Sequence, residues 1–167
     1  MASPMPRSPD YDLVLDSPLG RLALRCSGQG LTALDYVADE VPLRDPCNTL
    51  SSQAAEQLRH YFKDPSFVFD LPLDLQGTPF QQRIWSALIR IPSGKVLSYG
   101  ALARLVGSGP RAIGGACRAN PLPVIVPCHR VISTRGGLGG YGGATCGAGL
   151  EVKSWLLVHE GALSGFS

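Results

Sequence analysis

Hydrophobic periodicity changes once along this chain, and that change limits what it can fold into. Up to residue 37 the apolar residues come in short runs separated by turn signals. Leu13-Val14-Leu15 lies within Tyr11 to Asp16, Ser17-Pro18-Leu19-Gly20 reads as a turn, and Leu22-Ala23-Leu24 follows. After Gly28-Gln29-Gly30, the stretch from Leu31 to Val37 completes a predicted three-strand meander. Leu50, Ala54, Leu58, Tyr61 and Phe62 then recur at helical spacing behind Asn48 or Thr49 as cap. His60 on that helix reads as a surface or packing residue, and the N-terminal half shows no catalytic constellation.

Beyond a proline-containing connector over residues 64–77 the pattern is mostly helical. Thr78 can cap a helix, Pro79 suits its first position and Gln81 completes a Thr-x-x-Gln capping box, with Phe80, Ile84, Trp85, Leu88 and Ile91 as the buried face. Two short helices are expected over residues 98–106, capped by Ser98, and from 110 to about 119. Gly107-Ser108-Gly109 between them gives the outline of a helix-turn-helix, which a plain helical hairpin would share. The second helix contains Gly114-Gly115, each costing roughly 1 kcal/mol against alanine, so close approach of its backbone to another surface is expected to compensate. Asn120-Pro121 stops that helix. The apolar run Val124-Ile125-Val126 reads as a strand, a glycine-rich loop covers residues 136–143, and a last helix over about 149–160 is expected to bury Trp155, Leu156 and Val158. The expected fold class is α/β (α+β), with units at residues 1–77 and 78–167.

Charge divides at the same place. Residues 1–77 carry six Lys and Arg against eleven Asp and Glu, while residues 78–167 carry nine against two and contain no aspartate. A basic half suits a polyanion, although a solvated basic surface beside an acidic neighbour would look the same. Five cysteines without a Cys-x-x-Cys pair argue against a zinc ribbon or a dithiol redox site. With no apolar signal core at the start and no apolar run near the ~20 residues that span a membrane, a cytoplasmic protein without membrane contact is expected.

Chemistry concentrates in Pro127-Cys128-His129-Arg130. A free thiol ionises at about pH 8.5, so a thiolate nucleophile needs a base or a positive charge beside it. His129 and Arg130 are candidates, whereas most buried cysteines are merely small hydrophobes. In an extended segment Cys128 and His129 would point to opposite faces, so a bridging water or a bent backbone is needed for proton transfer. Glu160 sits at the expected end of the last helix, against the macrodipole, and His129 is its natural partner.

Pro127-Cys128-His129-Arg130-Val131 behind Asn120-Pro121, with Ser98-Tyr99, Arg111, Tyr141-Gly142-Gly143 and Trp155-Leu156-Leu157-x-x-Glu160-Gly161, resembles the O6-alkylguanine-DNA alkyltransferase family. The match runs from Gly77 to the end. Ser17-Pro18-Leu19-Gly20 extends it more weakly to the first half, where the resemblance implies a small ribonuclease-H-like α/β unit. It implies a mostly helical C-terminal domain with a helix-turn-helix. It also implies irreversible transfer of an alkyl group from guanine O6 in double-stranded DNA to Cys128.

By that resemblance His129 deprotonates Cys128 through water, Glu160 supports His129, Tyr99 donates to the leaving guanine, and Asn120 is a hinge. The carbonyls of Cys128 and Val131 and the amide of Gly142 read the base, and Tyr141 shapes the pocket. Arg111 replaces the flipped base in the stack, while Gln81, Tyr99, Gly100, Ser108 and Thr134 contact DNA and Arg118 adds a phosphate contact. Neither a cofactor nor a metal is implied, since Thr32 stands where some members have a histidine ligand. The expected state is a monomer, with cooperation on DNA left open. Departures from the family pattern are a shorter turn before Arg111, an insertion at residues 144–149, and Cys117 in the pocket wall. The competing reading is a lesion-binding protein without transfer activity, which the presence of Cys128 opposes; a cysteine hydrolase would need an oxyanion hole that no motif supplies.

Overall fold

The computed structural model describes residues 11–133 and 148–163. Strands β1 (Leu13–Ser17), β2 (Gly20–Cys26) and β3 (Leu31–Val37) form an antiparallel sheet in that order, as the spacing predicts. Ser17 pairs with Gly20 across the first turn, where Gly20 takes a φ of 96° that favours glycine. Helix α1 (Thr49–Lys63) starts at Asn48, whose side chain accepts from the Ser51 amide. It lays Ala54, Ala55, Leu58 and Tyr61 inward, and packs against β1 and β2.

Helix α2 (Pro79–Ile89) begins at the predicted capping box, with Gln81 Oε1 accepting from the Thr78 amide and Thr78 Oγ1 accepting from the Gln81 amide. Gly77 precedes it because a Cβ there would lie 2.5 Å from the ring of Trp85. That indole, buried, donates to the Ala116 carbonyl at 2.9 Å and ties α2 to the glycine-containing helix α4 (Pro110–Arg118). Helix α3 (Tyr99–Val106) ends at Gly107 in the left-handed conformation, whose amide and that of Ser108 both return to the Ala103 carbonyl. Helices α3 and α4 pack on each other, giving the expected helix-turn-helix outline.

Two short strands, β4 (Leu97–Ser98) and β5 (Val131–Ile132), pair in parallel, Leu97 with Val131 and Ser98 with Ile132. This pair fixes the start of α3, and so Tyr99, beside the chain that leaves Cys128. Helix α5 (Ala148–His159) closes the fold and stops at Gly161, which has a φ of 77°. Its buried residues are Lys153, Leu156 and Leu157 rather than the predicted Trp155 and Val158, which are half-buried. Trp155 instead stacks on His159 and lies against Phe62 of α1. Buried residues of β1, β2, β3 and of helices α1 to α5 belong to one continuous apolar cluster. Among the described residues no helix is long and apolar enough to cross a membrane.

Candidate active site

The predicted strand into Cys128 is absent. Residues 121–127 form turns, and Cys128–Arg130 make one turn of 3-10 helix. The reason is local: Pro127, with φ −82° and ψ 66°, makes an inverse γ-turn in which the Cys128 amide donates to the Val126 carbonyl at 2.8 Å. Val124 takes a φ of 74°, a strained position for a β-branched residue, costing on the order of 1–3 kcal/mol. Asn120 holds this turn: its Nδ2 donates to the Val126 carbonyl at 2.8 Å and its Oδ1 accepts from the Leu122 amide at 3.0 Å. Cys128 and His129 therefore follow one another in a helical turn rather than in an extended segment, and a bridging water is still needed between them.

Cys128, His129 and Arg130 are all buried, as is Glu160, one residue past α5. His129 Nε2 lies 2.9 Å from Glu160 Oε2. Arg130 grips the same carboxylate with a two-pronged fork, Nε to Oε1 at 2.8 Å and Nη2 to Oε2 at 2.7 Å, and its Nη1 donates to the Ile91 carbonyl at 2.6 Å. Tyr61 of α1 donates its hydroxyl to Glu160 Oε2 at 2.6 Å. Oε2 therefore faces three donors, and a carboxylate so surrounded carries no proton of its own. The shared hydrogen of the His129 pair stays on Nε2, which leaves Nδ1 with its lone pair. Nδ1 is buried and has no hydrogen-bond partner among the described residues.

Burial alone would push the Glu160 carboxyl up, but hydrogen bonds from Arg130 and His129, and then from Tyr61, hold it well below the usual carboxylate range. Burial lowers His129, and the Glu160 carboxylate only partly restores its basicity. Burial also raises the Cys128 thiol, against which a hydrogen bond from Asn120 and the charge of Lys153 act. Burial thus favours the neutral thiol and the neutral imidazole over the ionic pair.

Lys153 is a residue that sequence reasoning missed. It is fully buried, donates to the Val131 carbonyl at 2.7 Å, and lies 5.7 Å from the centre of the Tyr99 ring. Burial pushes it down to about 8, while Cys128 and Cys117 draw it back up. Its spacing of seven from Glu160, which follows α5 directly, puts the two on one side of the helix axis and could have marked it. Arg130, left without a role by the sequence, had a signal too: after residue 77 the chain offers only Glu151 and Glu160 as partners. The N-terminal half, in which the sequence shows no catalytic constellation, still reaches the site through Tyr61, since a buried tyrosine hydroxyl needs a partner.

Cys128, His129, Glu160, Asn120, Val131 and Tyr99 thus gather around one turn. Val131 keeps its carbonyl on Lys153, and the Cys128 carbonyl accepts from the Val131 amide. Gly100 is half-buried in the first turn of α3, and Ser108 is half-buried in the turn after it. Arg111 and Arg118 are exposed at the two ends of α4, and Gln81 is engaged in the cap of α2. A Cβ added at Gly114 or Gly115 would meet no atom of the chain within 4 Å. His60 is exposed and stacks on Phe67. Thr134, Tyr141, Gly142 and most of the insertion at 144–149 lie outside the described residues.

Comparison with known proteins matches both halves. Residues 79–162 fit the family model described as 6-O-methylguanine DNA methyltransferase, DNA binding domain, and residues 11–75 fit its ribonuclease-like domain. A "Methylated-DNA--protein-cysteine methyltransferase" of Mycobacterium leprae is 46% identical over 152 residues, covering 87% of this chain and 89% of the relative. The protein of that description from Homo sapiens is 38% identical over 167 residues, covering 88% and 78%. The crystal structure of Mycobacterium tuberculosis OGT in complex with DNA aligns with a TM-score of 0.76 at 42% identity, covering 89% of this chain and 91% of that one.

Proposed function

Because the chain belongs to the 6-O-methylguanine DNA methyltransferase family, a DNA repair family that transfers alkyl groups from DNA to a cysteine, we propose that its accepting cysteine is Cys128 and that the residues around it run the transfer as follows. His129 Nδ1 takes the thiol proton through a bridging water. The thiolate sulfur attacks the alkyl carbon on guanine O6, the carbon–oxygen bond breaks, and its electron pair leaves with the base, to which Tyr99 donates. The product is a thioether, which neither water nor the site can reverse, so each molecule acts once.

The observation that carries this reading is the orphaned Nδ1 of a buried neutral histidine, one residue from the only buried thiol among the described cysteines. Glu160 stabilises the imidazolium while the transfer lasts. Double-stranded DNA containing O6-alkylguanine is the partner, and its target base must be flipped out of the stack. Arg111, exposed at the start of α4, is suited to fill the gap. The open space over Gly114 and Gly115 is room for the groove backbone; Gln81, Tyr99, Gly100, Ser108 and Thr134 are assigned to DNA contact and Arg118 to a phosphate, while Val131, Tyr141 and Gly142 are assigned to the base pocket. Residues 78–167 carry the chemistry and residues 1–77 support it. A reducing cytoplasm suits the four free thiols described.

Incubation with duplex DNA methylated at guanine O6, followed by peptide mapping by mass spectrometry, is the test. One methyl group on Cys128 per protein, and none in Cys128→Ser, is the expected outcome. Methyl that stays on the DNA at stoichiometric protein, or appears on another residue, overturns the reading.

A further inference from the structure

Tyr61 stands apart from the rest of the relay because it comes from α1, 99 residues before its partner Glu160. Its hydroxyl lies 2.6 Å from Oε2, the oxygen that also takes His129 Nε2 at 2.9 Å and Arg130 Nη2 at 2.7 Å. The Arg130 fork already fixes the plane of the carboxylate, so a further bond adds little to its orientation. What it adds is competition for the electron density that His129 draws on. The phenol is an obligate donor here, since burial, followed by the Glu160 charge, raises it well above its ordinary value and keeps it protonated.

We propose that Tyr61 is a positioning residue of the relay which tempers it: by donating to the same oxygen as His129, its hydroxyl weakens the pull of Glu160 on the imidazole and keeps Cys128 a resting thiol. A carboxylate oxygen shared among three donors accepts less from each, so His129 is a weaker base than it would be beside a bare carboxylate. A nucleophile that works once gains from this restraint, because stray electrophiles and oxidants attack the thiolate rather than the thiol.

Among the described residues the following groups face the relay. Glu160 meets Arg130, His129 and Tyr61; His129 meets Glu160, Arg130 and Lys153. Tyr61 meets Arg130 and Tyr36 besides Glu160, and His159 Nε2 lies 2.8 Å from its carbonyl. Asn120 and Lys153 act on the Cys128 thiol, with Cys117 alongside. Removing one phenol oxygen changes none of these charges.

This inference rests on Cys128 being the alkyl acceptor, and the experiment separates the two. Full-length wild type, Tyr61→Phe, and protein with fluorinated tyrosine at position 61 are compared by the pH dependence of Cys128 alkylation, with iodoacetamide and with free O6-benzylguanine. Fluorination makes the phenol a stronger donor with little change of shape. The midpoint is expected to fall in Tyr61→Phe by a few tenths to about one pH unit and to rise in the fluorinated protein. Midpoints that coincide, or a rise in Tyr61→Phe, overturn the proposal, because loss of orientation alone would make the thiol harder to ionise. Should Tyr61→Phe fail to fold, the fluorinated protein decides alone against wild type. The predicted order with iodoacetamide, in a protein that leaves methyl on O6-methylguanine duplex DNA, supports the role of Tyr61 while removing the alkyl-transfer reading.

Discussion

Replacing Arg130 with methionine keeps most of the apolar stem and removes the guanidinium that holds Glu160. Three hydrogen bonds are lost, two to the carboxylate at 2.8 and 2.7 Å and one to the Ile91 carbonyl at 2.6 Å, with both residues buried. Breaking a buried ion pair from one side costs about 3–5 kcal/mol, because the remaining charge stays buried. Tyr61 and His129 still donate to Glu160, which places the loss near the lower end, about 3 kcal/mol. For a chain of this size that lowers Tm by roughly 6–12 °C.

The same loss has a pH signature. In the wild type the Glu160 carboxyl is held low, so its contribution is present above the unfolded value of about 4.3 and is lost as pH falls through the lower folded value. Without Arg130 the folded value rises, and the carboxylate then opposes folding at neutral pH and is relieved by protonation. His129, lowered by burial and further by Arg130, regains basicity in the variant, which relieves it from about pH 6.5 downward. The stability gap between the two proteins should thus be widest near pH 7.5 and narrow steadily toward pH 4.5. Thermal melts followed by circular dichroism at those two pH values measure it. A Tm within about 2 °C of wild type, or a gap that does not change with pH, would refute the argument that the charge of Arg130, rather than its bulk, secures the relay.

Lys153→Met removes the cation that favours the thiolate, so the pH midpoint of Cys128 alkylation should rise by about one unit or less; because Lys153 itself is pushed down to about 8, rates for the two proteins should converge above that pH. Equal rates at pH 7 would remove Lys153 from the chemistry. Gly114→Ala fills open space on α4 and should stabilise the protein by up to about 1 kcal/mol, raising Tm by roughly 2–4 °C, while slowing repair of duplex DNA more than reaction with free O6-benzylguanine. Slowing on both substrates alike would show that the glycine serves the fold and not the groove.

The contrast between what could be read in advance and what could not follows the range of the interactions. Thr78 and Gln81, three residues apart, cap α2 as their types require, and Ser98 and Gly107 bound α3 for equally local reasons. The run Val124-Ile125-Val126 misleads because strand propensity is a preference for being half-buried, and here a γ-turn at Pro127 and a left-handed Val124 bury the same residues without a sheet. Chemistry is legible in the residue types: a thiol, an imidazole and a carboxylate announce proton transfer wherever they lie. The wiring is less so, since Arg130 and Glu160 are thirty residues apart and Tyr61 and Glu160 ninety-nine. Scarcity restores part of it, because within its own half a buried arginine has only two acids to choose from. No such count constrains Tyr61, whose hydroxyl could have ended on any buried acceptor. That the acceptor is Glu160 Oε2, already taken by His129, makes the N-terminal unit a participant in the basicity of the site and not just its support.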